Sequence, residues 1–392
     1  MKKICVVTST RADYGILKPL ITRLHRDSGI DLSIVATGMH LCTEFGETYN
    51  EIESDGFVIN KKIDIQLSSD TPSAVSKTMG IALISFSDYF REHPHDILIV
   101  LGDRYEIMAI CCAATNQRIP IAHIHGGETT EGAIDECYRH SITKMSALHF
   151  TSCETYRNRV IQLGEQPSRV FNVGALGVEN IFAAPLMSIE SLEHDIGFNL
   201  SDKPYGVVTF HPVTLENETG TAQIRELLSA LDDFPDMRFI ITKANSDVGG
   251  RKINKILDDY GKNRDNCYLT SSLGMIRYLS AIKHAVVIIG NSSSGILEGP
   301  AVKVPTVNIG DRQKGRIMAA SVINCNPVAG AIVSAINKSL SQAFQDDVNM
   351  VVNPYGDGNT SKQILAIVHN QLDNGLSVSK SFYNISREVI CK

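Results

Sequence analysis

The feature that most constrains this fold is a rhythm. Short continuous runs of branched apolar residues alternate with amphipathic stretches along the whole chain. A run such as Ile97-Leu98-Ile99-Val100 has no polar side chain to turn toward water. A strand made this way must be covered on both faces, as in a parallel sheet. In the first half the candidate strands are 3–8, 32–37, 57–63, 96–101, 119–125 and 148–151. The helical patterns between them are 14–26, 43–55, 72–91, 105–116, 131–145 and 154–163. A helical stretch and the polar patch Asn199-Leu200-Ser201-Asp202-Lys203-Pro204 interrupt the rhythm, which then restarts with strands at 206–210, 238–242, 267–270, 285–289, 304–309 and 322–324. Alternating β and α units predict an α/β protein of two Rossmann-like, doubly wound domains. A length of 392 residues, at ~150 residues per domain, agrees with two. The first domain is expected over 1–176 with 377–392, and the second over 177–376.

Composition excludes several classes. The net charge of −6 leaves no basic footprint for nucleic acid. The longest apolar runs, such as 97–101 and 285–289, fall far short of the ~20 residues needed to cross a bilayer. The opening Met-Lys-Lys-Ile-Cys-Val-Val reads as a strand and not as a signal peptide. Nine cysteines, odd in number and without a CxxC pair, read as free thiols of a reducing compartment. The expectation is a soluble cytoplasmic protein.

Open α/β sheets place their ligand sites beyond the carboxyl ends of the strands, and here nearly every strand runs into a polar loop. In the first half these loops carry Arg11 and Asp13, then His40, then Asp103 and Arg104, then His125 and Glu128. In the second half they carry His211, then Lys243 and Asn245, then Asn291, Ser292 and Ser293, and finally Arg312. Two loaded carboxyl edges imply domains facing a central cleft. The loop Gly290-Asn291-Ser292-Ser293-Ser294-Gly295 leads from a buried strand into a helix, so its free N–H groups can cradle a phosphate. A plain serine cap explains the same residues. Glu298, six residues past Ser292, can accept both hydroxyls of a ribose, and Arg312 can supply the charge a diphosphate needs.

Asp103, Glu128 and Asp135 are the acid–base candidates. Carboxylates that converge raise one another's pKa values, so one can hold a proton while another accepts one. Solvated loop acids and helix caps are the plainer reading. Arg139 and His140 can pair with these acids or with phosphate. His123 and His125 alternate along a strand like an HxH metal pair, although His123, flanked by Ala122 and Ile124, equally suits a core position. His40 and His211 can be phosphate contacts, proton carriers or turn residues. No GxGxxG follows a strand and no GxxxxGK[ST] occurs, so nicotinamide, flavin and P-loop chemistry are excluded.

The motifs Ser9-Thr10-Arg11-Ala12-Asp13-Tyr14-Gly15, Gly102-Asp103-Arg104-Tyr105-Glu106, His123-Ile124-His125-Gly126-Gly127-Glu128, Arg139-His140-Ser141-Ile142-Thr143-Lys144, Phe210-His211-Pro212-Val213-Thr214 and the 290–295 loop, in this order, resemble the hydrolysing UDP-N-acetylglucosamine 2-epimerases of bacterial sialic acid synthesis. The non-hydrolysing cousins carry GTRPE where this chain has Ser9-Thr10-Arg11-Ala12-Asp13. They carry HxEAG where it has His123-Ile124-His125-Gly126-Gly127. Both departures favour the hydrolysing branch. The resemblance implies a glycosyltransferase-B-like fold and elimination of UDP from UDP-N-acetylglucosamine to a 2-acetamidoglucal, whose hydration gives N-acetylmannosamine. It implies that Asp103, Glu128 and Asp135 handle the protons, with Arg139 among them, and that His211 contacts the diphosphate or assists its departure. Ser292 and Ser293 are implied to bind phosphate, Glu298 the ribose, and Arg11 and Arg312 the nucleotide. Asp13, His40, Arg104, Lys243 and Asn245 count as further substrate contacts. No redox cofactor or metal is implied, and a homodimer or homotetramer is expected. The related enzymes acting on UDP-2,4-diacetamido sugars share these motifs, and a non-catalytic nucleotide-sugar-binding protein is the alternative outside catalysis.

Overall fold

The alternation of side chains along each strand builds the layers. In the computed structural model, Ile4, Val6, Ile97 and Ile99 enter one apolar layer, while Cys5, Val7, Leu98 and Val100 enter the layer on the other face. Burying each such side chain stabilises the fold by about 1.5–3 kcal/mol. The structure describes residues 1–43, 46–65, 71–129, 134–211, 219–244, 250–262 and 264–385.

The first sheet contains β1 (Lys2–Thr8), β2 (Ile30–Thr37), β3 (Lys61–Ile63), β4 (Ile97–Leu101), β5 (Ile121–Ile124), β6 (Leu148–Thr151) and β7 (Val170–Asn172). Their order is β3-β2-β1-β4-β5-β6-β7, and every pairing is parallel. The second sheet contains β8 (Tyr205–Thr209), β9 (Arg238–Thr242), β10 (Cys267–Thr270), β11 (Val287–Gly290), β12 (Thr306–Ile309) and β13 (Val322–Cys325). Its order is β10-β9-β8-β11-β12-β13, again parallel. The expected pair of doubly wound α/β domains is therefore present. In each sheet the strand order reverses once, at β1/β4 and at β8/β11, and such switch points open crevices where ligands sit.

Local chemistry sets the helix starts. The Thr71 hydroxyl accepts from the Ala74 N–H at 3.3 Å and Pro72 occupies the first turn of the helix Pro72–Glu92. The expected helix from 131 begins at Asp135 among the described residues.

Two units result: Met1–Asn180 together with the chain from Tyr355 onward, and Ile181–Pro354. The division expected at 176/177 and 376/377 thus moves, because the helix Thr360–Asp373 belongs to the first unit. Its Ile364 and Val368 join the first-unit core, the Thr360 hydroxyl donates to the Val173 carbonyl at 2.9 Å, and the Ser361 N–H donates to Glu179 Oε2 at 2.6 Å. Among the described residues no helix is long and apolar enough to cross a membrane.

Candidate active site

The first-unit switch point is built on β1. Thr10 caps the helix Arg11–Arg26 and Asp13 closes the capping box. The Asp13 carboxylate accepts from the Ser9 N–H (2.8 Å) and hydroxyl (3.1 Å), and from the Thr10 N–H and hydroxyl (2.6 Å each). Asp13, expected as a substrate contact, is thus committed to shaping the loop. The same holds for His40. Its ring is buried, with Nε2 3.0 Å from the Thr8 hydroxyl and Nδ1 2.8 Å from the Thr48 hydroxyl, and desolvation holds its pKa down. Arg11 is exposed, 4.0 Å from Glu51.

Across the switch point, the loop after β4 supplies Asp103 and Arg104. The Asp103 carboxylate pairs with Arg139, a side chain with 2% exposure on the helix Asp135–Met145. Arg139 also donates to the Glu128 carbonyl at 2.9 Å and to Glu136 Oε2 at 2.5 Å. Burial opposes its charge, but Asp103 and Glu136 outweigh that and raise its pKa. Asp135 begins the same helix, and its carboxyl is pushed up, first by desolvation and then by the neighbouring Asp103 charge. Glu128 is buried, with Oε1 accepting from the Ser152 hydroxyl at 2.8 Å and lying 3.7 Å from His125 Nδ1. Asp103, Asp135 and Glu128 therefore gather about one buried guanidinium. Arg104 pairs with buried Glu106 at 2.5 Å.

The turn after β5 shows why its glycines are there. A Cβ on Gly127 (φ +79) would stand 2.5 Å from the Tyr156 carbonyl oxygen. His125, with φ +66, adopts the left-handed region that non-glycine residues rarely occupy. The two histidines of the HxH pair have different surroundings. His123 is buried, with Nε2 2.7 Å from the Gly102 carbonyl and Nδ1 3.2 Å from the Thr143 hydroxyl, and desolvation drops its pKa to about 3. Of the two readings left open for His123, the core position is the one its contacts match. His140 Nε2 lies 3.2 Å from Glu136.

In the second unit, Asn291 stitches the switch point together. Its Oδ1 accepts from the His211 N–H and its Nδ2 donates to the His211 carbonyl, both at 2.8 Å. Its own carbonyl accepts from Arg312 (3.1 Å) and Gln313 (2.9 Å). Gly290, φ +133, ends β11 where a Cβ would run into the Thr209 carbonyl. Ser292 caps the helix Ser293–Leu297 by accepting from the Ser294 N–H at 3.3 Å. Five residues make a weak helix dipole. Burial pushes the Glu298 carboxyl up to about 7, against the lowering influence of Ser294 and Arg316. Glu298 Oε2, Ser294 Oγ and Tyr278 Oη are shielded from water and make no hydrogen bond among the described residues. Lys243 forms an ion pair with Asp258 at 2.6 Å. Asn245 lies outside the described residues.

A parallel first sheet with clustered acids and a second sheet with a serine-rich loop at its switch point invite comparison with nucleotide-sugar enzymes. The sequence profile described as "UDP-N-acetylglucosamine 2-epimerase" matches residues 22–369. The chain belongs to this family. Polysialic acid biosynthesis protein P7 of Escherichia coli is 43% identical over 386 residues, 98% of either chain. The GDP/UDP-N,N'-diacetylbacillosamine 2-epimerase (hydrolyzing) of Campylobacter jejuni is 43% identical over 345 residues, 88% of this chain and 87% of that one. The crystal structure of UDP-GlcNAc 2-epimerase from Neisseria meningitidis bound to UDP-GlcNAc has a similar fold, with a TM-score of 0.80 at 18% identity over 94% of this chain and 100% of that one. The protein is thus a UDP-sugar 2-epimerase with the glycosyltransferase-B-like architecture.

Several residues of this epimerase's sites escape a motif reading. Glu136 was visible as a carboxylate three residues before Arg139 and four before His140, the spacing of neighbours on one helix face. Ser152, Gln313 and Tyr278 carried no local signal. Each reaches its site only through the packing of separate elements.

Proposed function

We propose that the protein is a hydrolysing UDP-N-acetylglucosamine 2-epimerase that releases UDP and N-acetylmannosamine for sialic acid synthesis. The observation that carries this reading is the gathering of Asp103, Asp135 and Glu128 about Arg139, within one unit and at a switch point. The C2 proton of the sugar is weakly acidic, so its removal needs a positioned base and a stabilised leaving group. One carboxylate takes the C2 proton. The C2–H electron pair forms the C1–C2 double bond, and the C1–O bond breaks with its electrons leaving on UDP. Water then adds through oxygen at C1 while a proton is returned to C2 on the opposite face, giving the inverted sugar.

Asp135, raised by burial and by Asp103, is the member best suited to hold a proton, and Asp103, paired with Arg139, to accept one. Glu128, held by Ser152, serves the second proton transfer or the water. In the second unit, the Ser292–Ser293 loop holds phosphate, Glu298 the ribose, and Arg312 and His211 the diphosphate end.

A second reading stands beside the first. The Campylobacter relative, as similar as the Escherichia one, is named for a diacetamido sugar. The test is to follow UDP release from UDP-N-acetylglucosamine and from UDP-N,N'-diacetylbacillosamine in parallel, identifying the free sugars. Release of N-acetylmannosamine from the first substrate supports the proposal. Turnover of the second alone selects the second reading, an epimer still attached to UDP points to non-hydrolysing chemistry, and no turnover of either contradicts both.

A further inference from the structure

The loop that follows β12 has two sides. On one, Arg312 and Gln313 donate to the Asn291 carbonyl of the nucleotide loop. On the other, the same loop walls a cavity of about 800 Å³ within the second unit, bounded also by β13 and the helix Ala329–Leu340. Small-molecule sites span roughly 300–1,000 Å³. Lys314 and Arg316 from the loop and Lys338 from the helix face this cavity, against one acid, Asp311. Among the described residues neither Lys314 nor Lys338 has a carboxylate partner. Asn308 on β12 lines the wall with 2% exposure. Its Nδ2 donates to Asn324 Oδ1 at 2.8 Å, while its own Oδ1 is shielded from water and accepts nothing among the described residues. A buried amide oxygen without a donor is unfavourable until something supplies one.

We propose that this cavity is a second ligand site, for a small anionic polyol: a phosphorylated or carboxylated sugar whose anion meets Lys314, Arg316 and Lys338 and whose hydroxyl or amide N–H donates to Asn308 Oδ1. Occupancy reaches the nucleotide site by a short route. The loop that holds Lys314 and Arg316 also holds Arg312 and Gln313, and the charge of Arg316 acts on Glu298. An anion that draws Arg316 toward the cavity therefore changes UDP affinity, and UDP changes the affinity of the anion by the same factor. This coupling, unlike the site itself, rests on the nucleotide lying at Ser292–Glu298.

The test is titration calorimetry with glucose 6-phosphate, glucuronate and inorganic phosphate. It is run on the wild type and on the Lys314→Ala, Lys338→Ala double variant, whose altered side chains are exposed and take no part in the proposed chemistry. The expected result is that at least one sugar acid binds the wild type with Kd below about 1 mM and at least tenfold more weakly to the double variant, which binds UDP as before. Binding of glucose 6-phosphate alone identifies phosphate as the preferred anion, and of glucuronate alone, carboxylate. The proposal is overturned if neither sugar acid binds, if the double variant binds as tightly, if inorganic phosphate binds as well as the sugars, or if saturating UDP abolishes binding outright. Should UDP fail to bind the wild type, the nucleotide assignment falls, while the titrations still decide the cavity.

Discussion

At the β1/β4 switch point charge is paired with charge. Asp13 is bonded into its own loop, and Asp103, Glu136 and the Glu128 carbonyl all converge on Arg139. At the β8/β11 switch point the backbone is equally well tied by Asn291, but Glu298 forms no ion pair among the described residues and burial pushes its carboxyl up to about 7. The same topology thus supports two designs. The first unit is a preorganised charge network, suited to moving protons. The second sets a desolvated carboxyl, Glu298, without an ion pair among the described residues, beside a serine-rich loop.

The sharpest way to break this contrast is Arg139→Met, which leaves the half-buried Asp103 and Glu136 without their cation. Turnover is expected to fall by more than any single carboxylate substitution, with a measurable loss of stability by denaturant titration. Arg139→Lys restores the charge without the fork, and activity is expected to stay well below wild type. A variant as stable and active as the parent would remove the keystone from the account.

Next in size are Asp103→Asn and Glu128→Gln, each expected to lower kcat by about 10²–10⁴-fold while UDP affinity stays within about twofold of wild type, since these groups belong to the unit that handles protons. Parallel loss of UDP binding would erase the division of labour.

In the second unit, Ser292→Ala combined with Glu298→Ala is expected to weaken UDP binding by about 1–3 kcal/mol for each charged hydrogen bond lost. Glu298 also gives a pH signature. Its carboxyl titrates near about 7, so binding of uridine, which carries no phosphate to titrate, tightens as pH rises through that value and becomes flat in Glu298→Gln. A wild-type profile flat from pH 6 to 8 contradicts the assignment.

The smallest effect concerns stability. The Asp135 carboxyl binds its proton more strongly in the folded state than in the unfolded chain. Its contribution is therefore fully present below the ordinary carboxylate range and is lost as pH rises through the raised value. Asp135→Asn should gain Tm relative to wild type on going from pH 4 to pH 8, and an unchanged difference would mean that Asp135 is solvated.

The frame of this protein was legible because periodicity and burial coincide. The strands at 148–151, 238–242 and 267–270 and the helix at 105–116 fall where apolar spacing puts them. The strand expected at 57–63 shrinks to Lys61–Ile63, since Val58 is 72% exposed and has no sheet neighbour to gain from. β7 is a three-residue edge strand, and the helix Gln342–Met350 buries only Val348, so neither carries enough pattern to be read. At the site, residue type was readable and commitment was not. Asp13 had the Thr-x-x-Asp signature of a capping box from the outset, and His40 and His123 look chemical in sequence until both ring nitrogens are found engaged inside the fold.

The most direct measurement is proton NMR of UDP-N-acetylglucosamine turned over by the protein in D₂O. The account predicts free N-acetylmannosamine carrying deuterium at C2, with UDP appearing in step. Product that keeps its original C2 proton, or an epimer still bound to UDP, would contradict it.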